Sequence, residues 1–114
     1  MAACLYYQKR YDAARTEYER ALELDPRSAR ALYGLGCVAY EQDHYAEARD
    51  HLERTLAIDE KAGDCHRMLG LVYEQLGDFA KAKAHFERGA ALDPTVAADD
   101  YVRRRLNELR RTNP

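Results

Sequence analysis

Histidine and cysteine are the residue types in this chain that could act as nucleophiles, general bases or metal ligands. They are found at Cys4, Cys37, Cys65, His44, His51, His66 and His85. Cys65 and His66 are neighbours, and adjacent side chains on a helix diverge by about 100°. His51 and His85 lie on what we interpret as the outer surfaces of two helices, where they are not expected to share a metal. The sequence therefore predicts no catalytic site, no metal site and no cofactor.

The charge and hydropathy of the chain exclude two classes of partner. Its 18 lysines and arginines are balanced by 20 acidic residues, for a formal charge of -2, which is not the basic excess of a nucleic-acid-binding protein. The longest apolar stretch, residues 31–40, is about half the length of a membrane span. The three cysteines are an odd number and are not spaced as metal ligands are, which favours reduced thiols. We expect a cytoplasmic protein that binds neither nucleic acid nor membranes.

The elements that position these residues recur with a fixed period of 34 residues. At this spacing the sequence repeats an acidic residue near each unit end, an alanine, an aromatic or leucine residue, and a Glu-Arg pair. The columns are Asp25, Asp59 and Asp93; Ala14, Ala48 and Ala82; Tyr18, Leu52 and Phe86; Glu19, Glu53 and Glu87. We delimit a truncated first repeat at 1–28, a second at 29–62 and a third at 63–96.

Each repeat is predicted to contain two helices joined by a tight turn. Apolar residues at three- and four-residue steps mark a buried stripe on both helices of the second repeat. The turn is predicted at residues 42–44 and again at residues 76–78, where Gly77 tolerates a left-handed conformation and Asp78 can cap the next helix. Gly36 and Gly70 are expected where the two helices cross, because a missing side chain allows close approach.

The repeat resembles the tetratricopeptide repeat family, whose pattern is W-x2-L-G-x2-Y, then A-x3-F, then P. The third repeat carries this pattern as His66, Leu69, Gly70, Tyr73, Ala82, Phe86 and Pro94. The second carries it as Leu32, Leu35, Gly36, Ala39, Ala48 and Leu52, with Glu60 in place of proline. The resemblance covers residues 1–94. It implies an all-α fold, a right-handed superhelical stack of antiparallel helix pairs, and a role in binding proteins.

After Pro94 the period is lost, and a C-terminal capping helix is predicted over 97–111. Its apolar stripe consists of Val102, Leu106 and Leu109, among five arginines. These arginines could contact phosphate or a membrane. Since residues 97–114 carry only two more arginines than acids, we favour a solvated outer face.

In such a stack, the first helices of successive repeats line a concave groove. The predicted partner-binding residues are Tyr6, Arg30, Tyr33, Cys37, Tyr40, Asp64, Arg67, Met68, Leu71 and Glu74. Tyrosine, methionine and mixed charges suit peptide recognition. Two alternatives stay open: the tyrosines could pack against the next helix, and Tyr40 could replace Ala39 in the core.

The predicted function is therefore a protein-protein interaction module with a scaffold or adaptor role. In the best-known binding mode of the family, groove lysine, asparagine and arginine residues hold the C-terminal carboxylates of chaperones. The corresponding positions here are Tyr33, Cys37, Met68 and Asp64, so a chaperone tail is disfavoured. The alternative is a structural protein that self-assembles through the repeat ends, as a homo-oligomer.

Overall fold

The structure, a computed structural model, describes residues 10–112. This part of the chain forms seven helices. They are α1 (Tyr11–Leu24), α2 (Ala29–Glu41), α3 (Tyr45–Ile58), α4 (Gly63–Leu76), α5 (Phe79–Leu92), α6 (Pro94–Ala97) and α7 (Asp100–Thr112). The chain divides into two compact units, Met1–Asp59 and Glu60–Pro114. The all-α fold of paired helices predicted from the sequence is confirmed.

The first unit contains α1 and the helix pair α2 and α3, with α2 packed against both of the others. Ser28 begins α2 by accepting a hydrogen bond from the backbone N–H of Ala31 (3.2 Å), which satisfies one exposed helix donor. At the α2–α3 crossing, a Cβ added to Gly36 would lie 2.6 Å from the side chain of Leu52. The absence of a side chain at Gly36 therefore lets these two helices approach closely.

The second unit contains the helix pair α4 and α5, followed by α6 and α7, both of which pack on α5. A Cβ added to Gly70 would lie 2.6 Å from the ring of Phe86, so the close crossing of the first unit is repeated here. Val102, Leu106 and Leu109 of α7 are buried. The segment after Pro94 first forms the short helix α6, and α7 begins at Asp100.

The turn within each helix pair contains one residue with a positive φ, but the residue type differs between the two turns. Gly77 ends α4 with a φ of 84°, and Asp43 adopts a φ of 63° at the equivalent place after α2. Asp is among the few residues with a side chain that tolerate this region. Asp78 then caps α5 by accepting from the N–H of Lys81 (3.1 Å). The predicted left-handed glycine and aspartate cap are thus confirmed.

Most of the repeated apolar columns are buried. Ala14, Ala48, Ala82, Leu52 and Phe86 have no exposed surface. A further aromatic column consists of Tyr11, Tyr45 and Phe79 and is less buried: the first two are half-buried, and Phe79 is 45 % exposed. Each helix pair nevertheless buries an inner face in its own unit.

Candidate functional site

The candidate site residues of the first unit lie along α2. Tyr33, Cys37 and Tyr40 are half-buried, and Arg30 at the start of the helix is exposed. Ala39 is 1 % exposed, so it keeps its core position and Tyr40 does not replace it. These four side chains present two phenols, a thiol and a guanidinium on one helix.

Tyr40 is held in place by residues at the turn between α2 and α3. Its ring meets that of Tyr45 edge-to-face, with centroids 5.6 Å apart. The Tyr45 hydroxyl donates to the Asp43 carboxylate (2.8 Å), and this hydrogen bond is the main reason why the pKa of Tyr45 is raised. The turn therefore fixes one edge of the α2 surface.

Next to Arg30, a cavity of about 290 Å³ opens between α1 and α2. It is lined by Glu17, Tyr18, Ala21, Ser28, Arg30 and Ala31. The Tyr18 ring also covers Gly34, which is buried, and burial raises the pKa of the Tyr18 phenol. The cavity combines an apolar wall with one acidic and one basic side chain.

The candidate residues of the second unit lie on α4 and are less available. Asp64 is exposed, and Arg67 and Leu71 are half-buried. Met68 is only 5 % exposed and belongs to the core. These positions leave an acid, a guanidinium and a leucine at the surface of α4.

Glu74, the last candidate on α4, is bound by the C-terminal helix. Its carboxylate accepts hydrogen bonds from the Tyr101 hydroxyl (2.9 Å) and from Nε of Arg105, which also pairs with Glu108 (2.6 Å). The Glu74 side chain keeps only 8 % of its surface exposed. In this structure Glu74 anchors α7 and does not face solvent. Tyr6, the remaining candidate, lies outside the described residues.

Three of the five arginines of α7 form ion pairs with acidic residues of the second unit. Arg105 pairs with Glu74, Arg110 lies 3.4 Å from Glu87, and Arg103 lies 4.0 Å from Asp100. This pairing favours the solvated capping face over a phosphate contact. Within residues 10–112, no helix is long and apolar enough to cross a membrane.

Two histidines that were not predicted to be in contact lie side by side in the second unit. The Nδ1 atoms of His66 and His85 are 3.1 Å from each other. We expected His51 and His85 on outer surfaces, but both are half-buried, and burial lowers the pKa of His51. The signal that could have found the pair is the place of His66 at the first aromatic position of the repeat motif, which faces the second helix.

The other chemically reactive candidates are dispersed. Cys65 is fully buried, Cys37 is half-buried, and His44 is exposed beside Glu47 (3.5 Å). Over the described range, no group of three or more histidine, cysteine or acidic side chains is placed to hold a metal ion.

Solved structures similar to this chain come from several repeat proteins. The first TPR of Spaghetti (RPAP3), bound to the HSP90 peptide SRMEEVD, has a TM-score of 0.86 at 17 % identity, covering 97 % of this chain and 86 % of its own. The Arabidopsis OM64 TPR domain gives 0.86 at 20 %, covering 96 % and 88 %. YrrB, described as a TPR protein with an unusual peptide-binding site, gives 0.82 at 30 %, covering 95 % of this chain and 54 % of YrrB.

No curated protein matches the chain by sequence. Two family models do, and both are described as tetratricopeptide repeat; one matches residues 1–61 and the other residues 33–97. Together with the helix pairs, the glycine crossings and the 34-residue period, these matches establish that the chain belongs to the tetratricopeptide repeat family.

Proposed function

We propose that this chain binds a peptide or protein segment along the α2 face of its first unit, as a scaffold or adaptor in the cytoplasm without catalytic activity. Proteins of this family are generally interaction modules. Two similar structures support a peptide ligand: one was solved with a bound peptide, and the other is described by its peptide-binding site.

The observation that carries the proposal is the row formed by Tyr33, Cys37 and Tyr40, all half-buried on one helix. A tyrosine ring supplies a large amphipathic contact with few rotatable bonds, so little conformational entropy is lost when a partner orders it. Tyr40 is already packed against Tyr45, which lowers this loss further. The α2 face is therefore suited to binding an extended segment or a helix of a partner.

Charge at both ends of α2 gives the face a direction. Arg30 is exposed at its start and Glu41 at its end, whereas the residues between them are uncharged. A partner segment with an acidic group near Arg30 and apolar residues beyond it would complement this pattern. The cavity beside Arg30 is large enough to receive one side chain of such a segment.

The α4 face makes a smaller contribution in this proposal. Asp64, Arg67 and Leu71 remain accessible, but Met68 is buried and Glu74 is bound to α7. We therefore assign the main recognition surface to α2. The α4 side chains are proposed to add selectivity through charge.

The SRMEEVD peptide is the sharpest test of what the surface excludes. The positions that would hold its C-terminal carboxylates carry Tyr33, Cys37, Met68 and Asp64, so we expect no specific binding of the fluorescently labelled peptide by polarisation. Binding that is lost on adding excess unlabelled peptide would contradict this exclusion.

Selection of peptides from a random display library, followed by affinity measurement for the winners, tests the proposal directly. Tyr33→Ala and Arg30→Ala are expected to weaken binding of selected peptides at least tenfold, as for interface residues that each contribute more than about 1.4 kcal/mol. Arg54→Ala is the matched control, because Arg54 is also exposed in the first unit but lies on α3. Equal loss in the control and in Arg30→Ala would overturn the assignment to α2.

Self-assembly remains the second hypothesis, and it predicts an apparent mass that rises with concentration. Light scattering between low and high micromolar protein measures this. A constant monomer mass would remove the self-assembly alternative and leave the binding module intact.

A further inference from the structure

The cavity between α1 and α2 in the first unit has a filled counterpart in the second unit, because the repeat relates the residues around both. Three residues that line the cavity are each matched by a residue two periods of 34 later. The matched pairs are Glu17 and His85, Ala21 and Gly89, and Ser28 and Val96. The contacts of the later residues therefore indicate what kind of segment suits the cavity.

In the second unit, the opening turn of α4 fills this space. A Cβ placed on Gly89 would lie 3.0 Å from the carbonyl oxygen of Gly63 and 3.3 Å from the Cβ of His66. It would also lie 3.3 Å from Cγ1 of Val96. The His66 ring lies against that of His85, with centroids 5.3 Å apart. One turn of helix, with a glycine followed three residues later by a large side chain, thus occupies the space.

The second repeat has the same spacing at the start of its first helix. Ala29 and Leu32 stand 34 residues before Gly63 and His66, and Leu32 is 1 % exposed. Residues three apart lie on the same face of a helix, so the small and the large side chain enter the space together. The pattern common to both repeats is a small residue followed three residues later by a large one.

The α1–α2 cavity differs from its counterpart in chemistry. His85 faces His66 in the second unit, whereas Glu17, exposed on α1, supplies a carboxylate to the cavity. A carboxylate accepts hydrogen bonds, and the guanidinium of an arginine matches it with two parallel N–H groups. Tyr18 also lines the cavity and provides an aromatic face on which a guanidinium stacks. An arginine at the large position of the pattern complements both side chains.

We propose that the α1–α2 cavity binds one turn of a partner's helix, in which glycine or alanine is followed three residues later by an arginine that pairs with Glu17. The small residue lets the turn approach Ala21 closely, and an acidic side chain of the partner reaches Arg30. This assignment rests on the proposed binding along α2, because Arg30 belongs to both surfaces. It adds the helical conformation and the residue pattern of the partner.

The first experiment selects helical peptides with randomised positions from a displayed library, in parallel against the full chain and against Glu17→Arg. The unaltered chain should enrich Gly/Ala-x-x-Arg. Glu17→Arg should enrich an acidic residue in place of the arginine, because the charge in the cavity is reversed. Glu23→Arg is the matched control, since Glu23 is also exposed on α1 but does not line the cavity. A selected pattern that does not change with Glu17→Arg would overturn the proposal.

The second experiment measures the affinity of one selected peptide by fluorescence polarisation. Glu17→Arg should weaken binding about tenfold or more, and exchanging the peptide's arginine for glutamate should restore binding to that variant. Ala21→Phe fills the cavity and should abolish binding, whereas Ala13→Phe, at an exposed position of α1, should not. Unaltered affinity in Ala21→Phe contradicts the proposal. If that variant does not fold, the charge exchange with Glu17→Arg decides.

The cavity and the α2 face fail in different ways. Selected peptides that depend on Tyr33 but are indifferent to Glu17→Arg would overturn the cavity proposal and leave the α2 face as the binding site. Peptides that depend on Glu17 and not on Tyr33 would support the cavity and remove the α2 face. A second copy of this chain as the occupant would form a dimer in light scattering that Glu17→Arg abolishes, and this would overturn the assignment to a partner's helix.

Discussion

The second and third repeats have the same backbone plan but use one pair of positions differently. In the third repeat, His66 on α4 and His85 on α5 form a hydrogen-bonded pair. Their equivalents 34 residues earlier are Leu32, which is 1 % exposed, and His51, whose buried Nδ1 has no hydrogen-bond partner among the described residues. The comparison shows that this position of the motif needs only bulk. A polar residue is accepted there when the facing helix supplies a hydrogen-bond partner.

A second difference concerns the end of the first helix of each repeat. Tyr40 in the second repeat packs on Tyr45 and remains half-buried. Its equivalent in the third repeat, Glu74, is bound by Tyr101 and Arg105 of α7. The same place in the repeat therefore serves as a surface in one unit and as an anchor in the other.

The largest loss of stability is expected when equivalent core residues of the two units are truncated. Phe86→Ala should lower the free energy of unfolding by about 3–5 kcal/mol, because Phe86 has no exposed surface and its truncation leaves a cavity in the core. The equivalent Leu52→Ala should cost about 2–5 kcal/mol. Urea unfolding followed by circular dichroism measures both. A loss below 1 kcal/mol at either site would contradict the described packing.

Removing the anchor of α7 should have the next largest effect. Glu74→Ala deletes the acceptor of Tyr101 and Arg105, and hydrogen bonds to charged groups contribute about 1.5–3 kcal/mol. We expect faster hydrogen exchange in α7, with little change in the first unit. Tyr40→Ala is the matched variant, and it should leave the exchange of α7 unaltered. Unchanged exchange in Glu74→Ala would show that apolar contacts alone hold α7.

The glycine crossings are predicted to be equivalent in the two units. Gly36→Leu and Gly70→Leu should each destabilise by about 1–3 kcal/mol through overpacking against Leu52 and Phe86. Thermal unfolding compares them with Ala46→Leu, a control that adds the same side chain at an exposed position of α3. A melting temperature of Gly36→Leu equal to that of the control would refute the crossing geometry.

The smallest effect concerns the unpaired histidine of the first unit. Burial lowers the pKa of His51, so the folded chain binds fewer protons than the unfolded chain as pH falls below 6.5. Stability is thus fully present above pH 6.5 and is lost as pH falls toward the folded pKa. His51→Gln should flatten this dependence slightly in urea titrations. A steeper acid loss in the variant would reverse the sign and contradict the burial.

Local sequence signals predicted most of the fold because they act within one helix or turn. Gly77 at the end of α4 and Asp78 as a cap both depend on neighbouring residues, and the structure contains both features. Asp43 in the left-handed region was not expected, yet it follows from the same turn geometry.

The candidate site was harder to predict because burial on a first helix depends on contacts from several sides. Met68 was predicted to line the groove, but it lies in the core. The anchoring of Glu74 depends on α7, which follows the point where the period is lost. The meeting of His66 with His85 depends on how α4 and α5 pack: the repeat motif directs His66 toward the second helix but does not identify the residue that it meets there.

Two cysteines lie within the described residues, and their unequal burial makes thiol labelling a measure of local opening. Cys37 is half-buried in the first unit, whereas Cys65 is completely covered in the second. A thiol-alkylating reagent should modify Cys37 readily, while Cys65 must wait for α4 to detach. The rate of Cys65 labelling therefore reports how often the second unit opens.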